Sequence, residues 1–60
     1  MTLTLIYVVS FGSWQFIVED HNDQPLALGK DYPCSDTALK AARNATGRQH
    51  LNPYETQEIY

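Results

Sequence analysis

Residues 2–19 read Thr2-Leu3-Thr4-Leu5-Ile6-Tyr7-Val8-Val9-Ser10-Phe11-Gly12-Ser13-Trp14-Gln15-Phe16-Ile17-Val18-Glu19, and this stretch decides the fold. Residues 2–11 are rich in β-branched and aromatic side chains and predict a strand. Strand periodicity puts Leu3, Leu5, Tyr7 and Val9 on one face, and Ile6 and Val8 on the other. Gly12-Ser13 is a break of hairpin length, its glycine able to take the positive φ that primed turns need. Residues 14–19 alternate more cleanly, Trp14, Phe16 and Val18 against Gln15, Ile17 and Glu19, so the second strand commits its aromatic face to burial.

Working outward, Asp20-His21-Asn22-Asp23 predicts a turn, because Asn and Asp bond to nearby backbone and tolerate left-handed conformations. Pro25 lacks a backbone donor, so a third strand over residues 25–30 starts there or lies on an edge, with Leu26 and Leu28 toward the core. Pro33 biases Tyr32 to an extended conformation and ends the sheet. The period then changes. Ser35 is the expected N-cap, Asp36 suits the first helical turn, Ala38, Leu39, Ala42 and Ala45 recur at helical spacing, and Gly47 is a natural stop. Lys40 and Arg43 lie where the helix dipole favours cations. Residues 48–60 lack sustained periodicity and read as an extended tail or a short added strand.

These elements predict an α+β fold: a three-stranded antiparallel meander, β-β-β-α in order, with one C-terminal helix packed on one face and an extended tail. Residues 1–47 form the domain and residues 48–60 the tail. The expected core is Leu5, Tyr7, Trp14, Phe16, Val18, Leu26 and Leu39. The face without a helix then carries Ile6, Val8 and Ile17, flanked by Gln15 and Glu19, and these five residues are the candidate interaction surface. A second copy or another protein is expected to cover it; the alternative is that the tail folds over it through Tyr54 or Ile59.

At 60 residues with a formal charge of −3, there is room for one small domain and no separate cofactor-binding half. Cys34 is the lone cysteine, so no internal disulfide is available, and self-association is the remaining route to extra stability. Met1 is followed by Thr-Leu-Thr, with no basic leader region and no long apolar run, so the expectation is a cytoplasmic protein without a membrane span.

Residues 12–18, the Asn22-Asp23-Gln24 turn, Tyr32 and the helix over residues 35–44 together resemble one repeat of the YegP-like family, across about residues 3–46. The resemblance implies a β-β-β-α unit that pairs with another unit, in one chain or between chains, and no assigned activity. This chain has Asn22-Asp23 where the family has Asn-Gly, and Gln15 and Glu19 where it has basic residues. Trp14, Leu28-Gly29, Tyr32 and Ala38 are also similar in placement to AP2-like DNA-binding domains, including the amino-terminal arms of phage integrases. The antitoxin HicB core shares the strand order, but its Pro-Gly-Cys segment is absent.

The chemistry narrows the function further. A sheet that binds DNA needs basic residues on its exposed face, and the chain has four in all, so nucleic acid is not the expected partner. Cys34 precedes a helix start, where a thiol can become nucleophilic, but no local structure puts His21 or His50 beside it; it reads as an incidental thiol. Asp20-His21-Asn22-Asp23 lacks the loop length and closing Glu of a calcium site and reads as a solvated turn. Trp14 and Phe16 share a face with Val18 and read as core rather than as base-stacking platforms. No catalytic set, metal site, cofactor or small-molecule substrate is expected. The expectation is a small non-enzymatic protein-interaction module, homodimeric, of the kind a phage or mobile element uses to modulate a host protein by presenting carboxylates where phosphates bind. The alternative is an AP2-like DNA-binding module of the integrase-arm type, and a thiol enzyme built on Cys34 is the third reading.

Overall fold

The computed structural model describes all 60 residues. Strand β1 (Thr2–Val8) pairs antiparallel with β2 (Ser13–Glu19), which pairs antiparallel with β3 (Pro25–Tyr32); helix α1 (Ser35–Thr46) and a fourth strand, β4 (Pro53–Ile59), follow. The sheet order is β3-β2-β1-β4, and β4 runs parallel to β1. The fold is therefore α+β as expected, but the sheet is mixed and four-stranded rather than a three-stranded meander. A parallel pair needs a crossover connection, and α1 supplies it, passing over one face of the sheet between β3 and β4.

The β1–β2 register sets Leu3 opposite Val18, Leu5 opposite Phe16 and Tyr7 opposite Trp14. All six lie on the helix side, and Leu3, Leu5, Phe16 and Val18 join Ala38 and Ala42 of α1 in the core. Because α1 presents alanines, its backbone approaches the sheet closely while the strands supply the bulk. The Tyr7 and Trp14 rings meet tilted by 42° with centroids 5.1 Å apart, and Phe16 and Tyr32 by 33° at 5.8 Å. Leu39 packs against this core, whereas Ala45 is exposed.

Four local expectations are corrected. The first hairpin is closed by residues 9–12, not by Gly12-Ser13: the N–H groups of Phe11 and Gly12 donate to the Val8 carbonyl, and Ser13 already pairs with Val8. Gly12 does take the positive φ, at 62°. The third strand runs on to Tyr32, with bulges opposite Gln15 and next to Glu19, the first containing left-handed Asp31. Its phase is opposite to the expected one. Ala27 and Gly29 face the helix side, opposite Val18 and Phe16, while Leu28 is 67% exposed and Leu26 50%. The reason is steric: the Phe16 ring lies on Gly29, where an added Cβ would overlap it, 2.9 Å from Cδ2 and Cζ. Finally, the N-cap is Cys34 rather than Ser35: Cys34 is extended, at φ −150° and ψ 166°, and its carbonyl accepts from Ala38 N–H.

The turn and the helix end behave as read. Asp20 Oδ1 accepts from the N–H groups of Asn22 at 2.8 Å and Gln24 at 3.0 Å, closing the second hairpin. Gly47 takes φ 68°, and the N–H groups of Gly47 and Arg48 return to the carbonyls of Asn44 and Arg43, a Schellman closure. Arg43 then reaches beyond its helix: Nε donates to the Leu51 carbonyl at 2.9 Å and a terminal nitrogen to Asn52 Oδ1 at 3.1 Å. This tie, with Leu51 packed on the core, delivers the chain to the start of β4.

Gly29→Ala should lower stability by about 1–3 kcal/mol through overpacking against Phe16, read as a shift in denaturation midpoint. Gly47→Ala adds a Cβ in open space and carries only left-handed strain, about 1 kcal/mol; a cost equal to that of Gly29→Ala would refute the steric account. Arg43→Met should cost about 1 kcal/mol and speed amide exchange in β4 before β2.

Candidate interaction surface

The helix-free face is built from the residues whose side chains alternate away from α1: Thr4, Ile6 and Val8 of β1, Gln15 and Ile17 of β2, and Leu28 of β3, with Ile17 directly opposite Leu28. The β4 register adds Glu55, Gln57 and Ile59 beside Thr4, Ile6 and Val8. Strand β4 therefore lies at the edge of the face and does not fold over it.

Each residue expected on this surface is found there, but its accessible area differs. Ile6 is 8% and Val8 5% exposed, because β4 makes β1 an interior strand: Gln15 and Gln57 flank Ile6, and Ser13 and Ile59 flank Val8. Gln15, Ile17 and Glu19 are half-buried. The apolar area open to a partner is instead that of Leu28, with Ile59, 44% exposed, at the far side. A shallow groove of about 430 Å³ runs along it, lined by Gln15, Phe16, Ile17, Leu28, Gly29 and Lys30. Leu28 was missed as a surface residue since size and hydrophobicity argued for burial; the signal was Gly29 next to it, a residue that in a strand marks close approach by another group.

On the helix side, α1 covers β3 and β2 and reaches β1, leaving a second hollow lined by Tyr7, Trp14, Thr56, Gln57 and Glu58 beside β4. Trp14 and Phe16 sit in this layer, Phe16 within the core and Trp14 half-buried against it.

The Cys34 thiol is exposed at the start of α1, 3.0 Å from Thr37 Oγ1. Its pKa lies below the ordinary thiol value, first through the Thr37 hydroxyl and next through the Thr37 backbone N–H, with the Asp36 carboxylate working against them. Thr37 is its side-chain hydrogen-bond partner; His21 and His50 lie elsewhere, in the β2–β3 turn and beyond the helix end. No helix is long and apolar enough to cross a membrane.

Comparison with protein-family models, with curated proteins and with solved structures finds no match to this chain.

Alkylation of Cys34 should follow a pH profile lying below that of free cysteine. Thr37→Val removes the hydroxyl and should move the profile up in pH, because the thiolate loses its stabilising donor; superimposable profiles would remove the role given to Thr37.

Proposed function

We propose that this chain is a non-enzymatic protein-interaction module that acts as a homodimer and holds a partner protein against its helix-free face. The observation that carries the reading is Leu28: a large apolar side chain, 67% exposed beside Ile17 on a groove-bearing sheet face. An apolar residue in this position adds nothing to the core of the single chain, and its area is gained only when another surface covers it. Gln15, Glu19 and Lys30 form the polar margin and supply hydrogen-bonding groups, as an interface rim does. The acidic balance, seven carboxylates against four basic residues, favours a basic partner surface, such as that of an enzyme that handles nucleic acid in a phage-infected or element-bearing host.

The resemblance to YegP-like repeats supports pairing of two units, and β1, β2, β3 and α1 follow the order that resemblance implies. The AP2-like alternative has little electrostatic support. Of the four basic side chains, Lys30 lines the groove, and Arg43 is held by Leu51 and Asn52.

Two measurements test the reading. Sedimentation equilibrium in the micromolar range should show a dimer; a monomer throughout would refute homodimeric action. Tagged wild-type protein should retain a host protein that Leu28→Gln, with the same circular dichroism and sedimentation, does not. Retention unaffected by Leu28→Gln would exclude this face as the partner site.

A further inference from the structure

The sheet has two edges, and they are built differently. Strand β3 begins with Pro25, carries two bulges and contains left-handed Asp31, all of which bend a strand or remove a donor and so blunt an edge against pairing. Strand β4 has one irregularity, at its start between the partners of Leu3 and Thr4, and runs regularly from Glu55 to Ile59. All of its residues are exposed, and α1 packs on the other three strands.

The direction of the β4 backbone follows from one bond. Val9 N–H donates to the Ile59 carbonyl at 2.8 Å, so Ile59 turns its main-chain polar groups toward β1. Strand periodicity gives Gln57 and Glu55 the same direction and turns the N–H and C=O of Thr56 and Glu58 outward, away from the sheet.

We propose that this edge pairs with the same edge of a second copy, antiparallel, with Gln57 on the two-fold axis. The proposal rests on the self-association read above and assigns the surface that carries it. A two-fold axis perpendicular to the sheet keeps every side chain on its own face, so each allowed register is centred on one residue. Centring on Glu55 or Glu58 sets two carboxylates directly opposite each other. Centring on Thr56 brings the irregular start of β4 into the ladder. Centring on Gln57 uses only the regular segment. Thr56 of each copy then faces Glu58 of the other, and their outward groups form four main-chain hydrogen bonds. Glu55 of each copy faces Ile59 of the other. The result is an eight-stranded sheet with both helices on one side and the two helix-free faces merged on the other, which doubles the surface offered to the partner protein.

Amide hydrogen exchange followed by NMR on the wild-type protein, across a dilution series that sedimentation equilibrium calibrates, tests this directly. Thr56 and Glu58 amides should slow about tenfold or more on dimerisation, while Gln57 and Ile59, bonded to β1, stay slow at every concentration. Thr56→Pro removes an outward donor at an edge position that tolerates proline, and should sediment as a monomer with unchanged circular dichroism. A wild-type dimer whose Thr56 and Glu58 amides exchange as fast as in the dilute monomer, or a Thr56→Pro variant that dimerises normally, overturns the edge and leaves self-association standing. Wild-type protein that is monomeric throughout overturns self-association itself. Should Thr56→Pro fail to fold, the wild-type exchange pattern decides.

Discussion

The contact on which the rest of the structure depends is the ring of Phe16 lying over Gly29. A neighbouring strand usually presents a side chain to the residue opposite; here the position is left empty, and an aromatic ring fills it. That places Gly29 and Ala27 on the helix side, where α1 approaches with Ala38 and Ala42, and makes this layer thin enough for Phe16 to be almost fully buried. It also fixes the phase of β3. Leu28 must point the other way, since adjacent strand residues take opposite faces. The apolar groove on the helix-free side is thus a direct outcome of packing on the helix side.

The second constraint is the tie between Arg43 and the segment at Leu51 and Asn52. A helix ending in a Schellman closure leaves the chain free to go in many directions, and the guanidinium selects one. The chain then lies beside β1 rather than across the sheet. The effect on the surface is large: Ile6 and Val8 become interior positions flanked by Gln57 and Ile59, and the accessible apolar area moves outward to Leu28 and Ile59. Cys34 belongs to the same economy of the crossover, since it stands extended at the helix start and Thr37 faces its sulfur.

Such a small domain has few ways to gain further burial. The sheet offers one protected edge and one regular edge, and the face away from the helix offers exposed Leu28 in a shallow groove. These two features account for the reading as an interaction module, one by extending the sheet and the other by covering apolar area.

What the residues alone determined is whatever short-range chemistry dictates: two alternating strands from residues 2–19, with Leu3, Leu5, Phe16 and Val18 inward, the Asp20 turn, and a helix that stops at Gly47. Propensity, side-chain period and capping act within a few residues, so no distant partner has to be known. Tertiary structure alone decided the phase of β3, the direction of β4 and hence the accessible part of the candidate surface. Gly29 and Ala27 are weak local signals, and Leu26 and Leu28 are strong ones; only the volume of the Phe16 ring reverses that order. Residues 53–59, with exposed side chains throughout, show no burial pattern to read, because main-chain hydrogen bonds to β1 make them a strand.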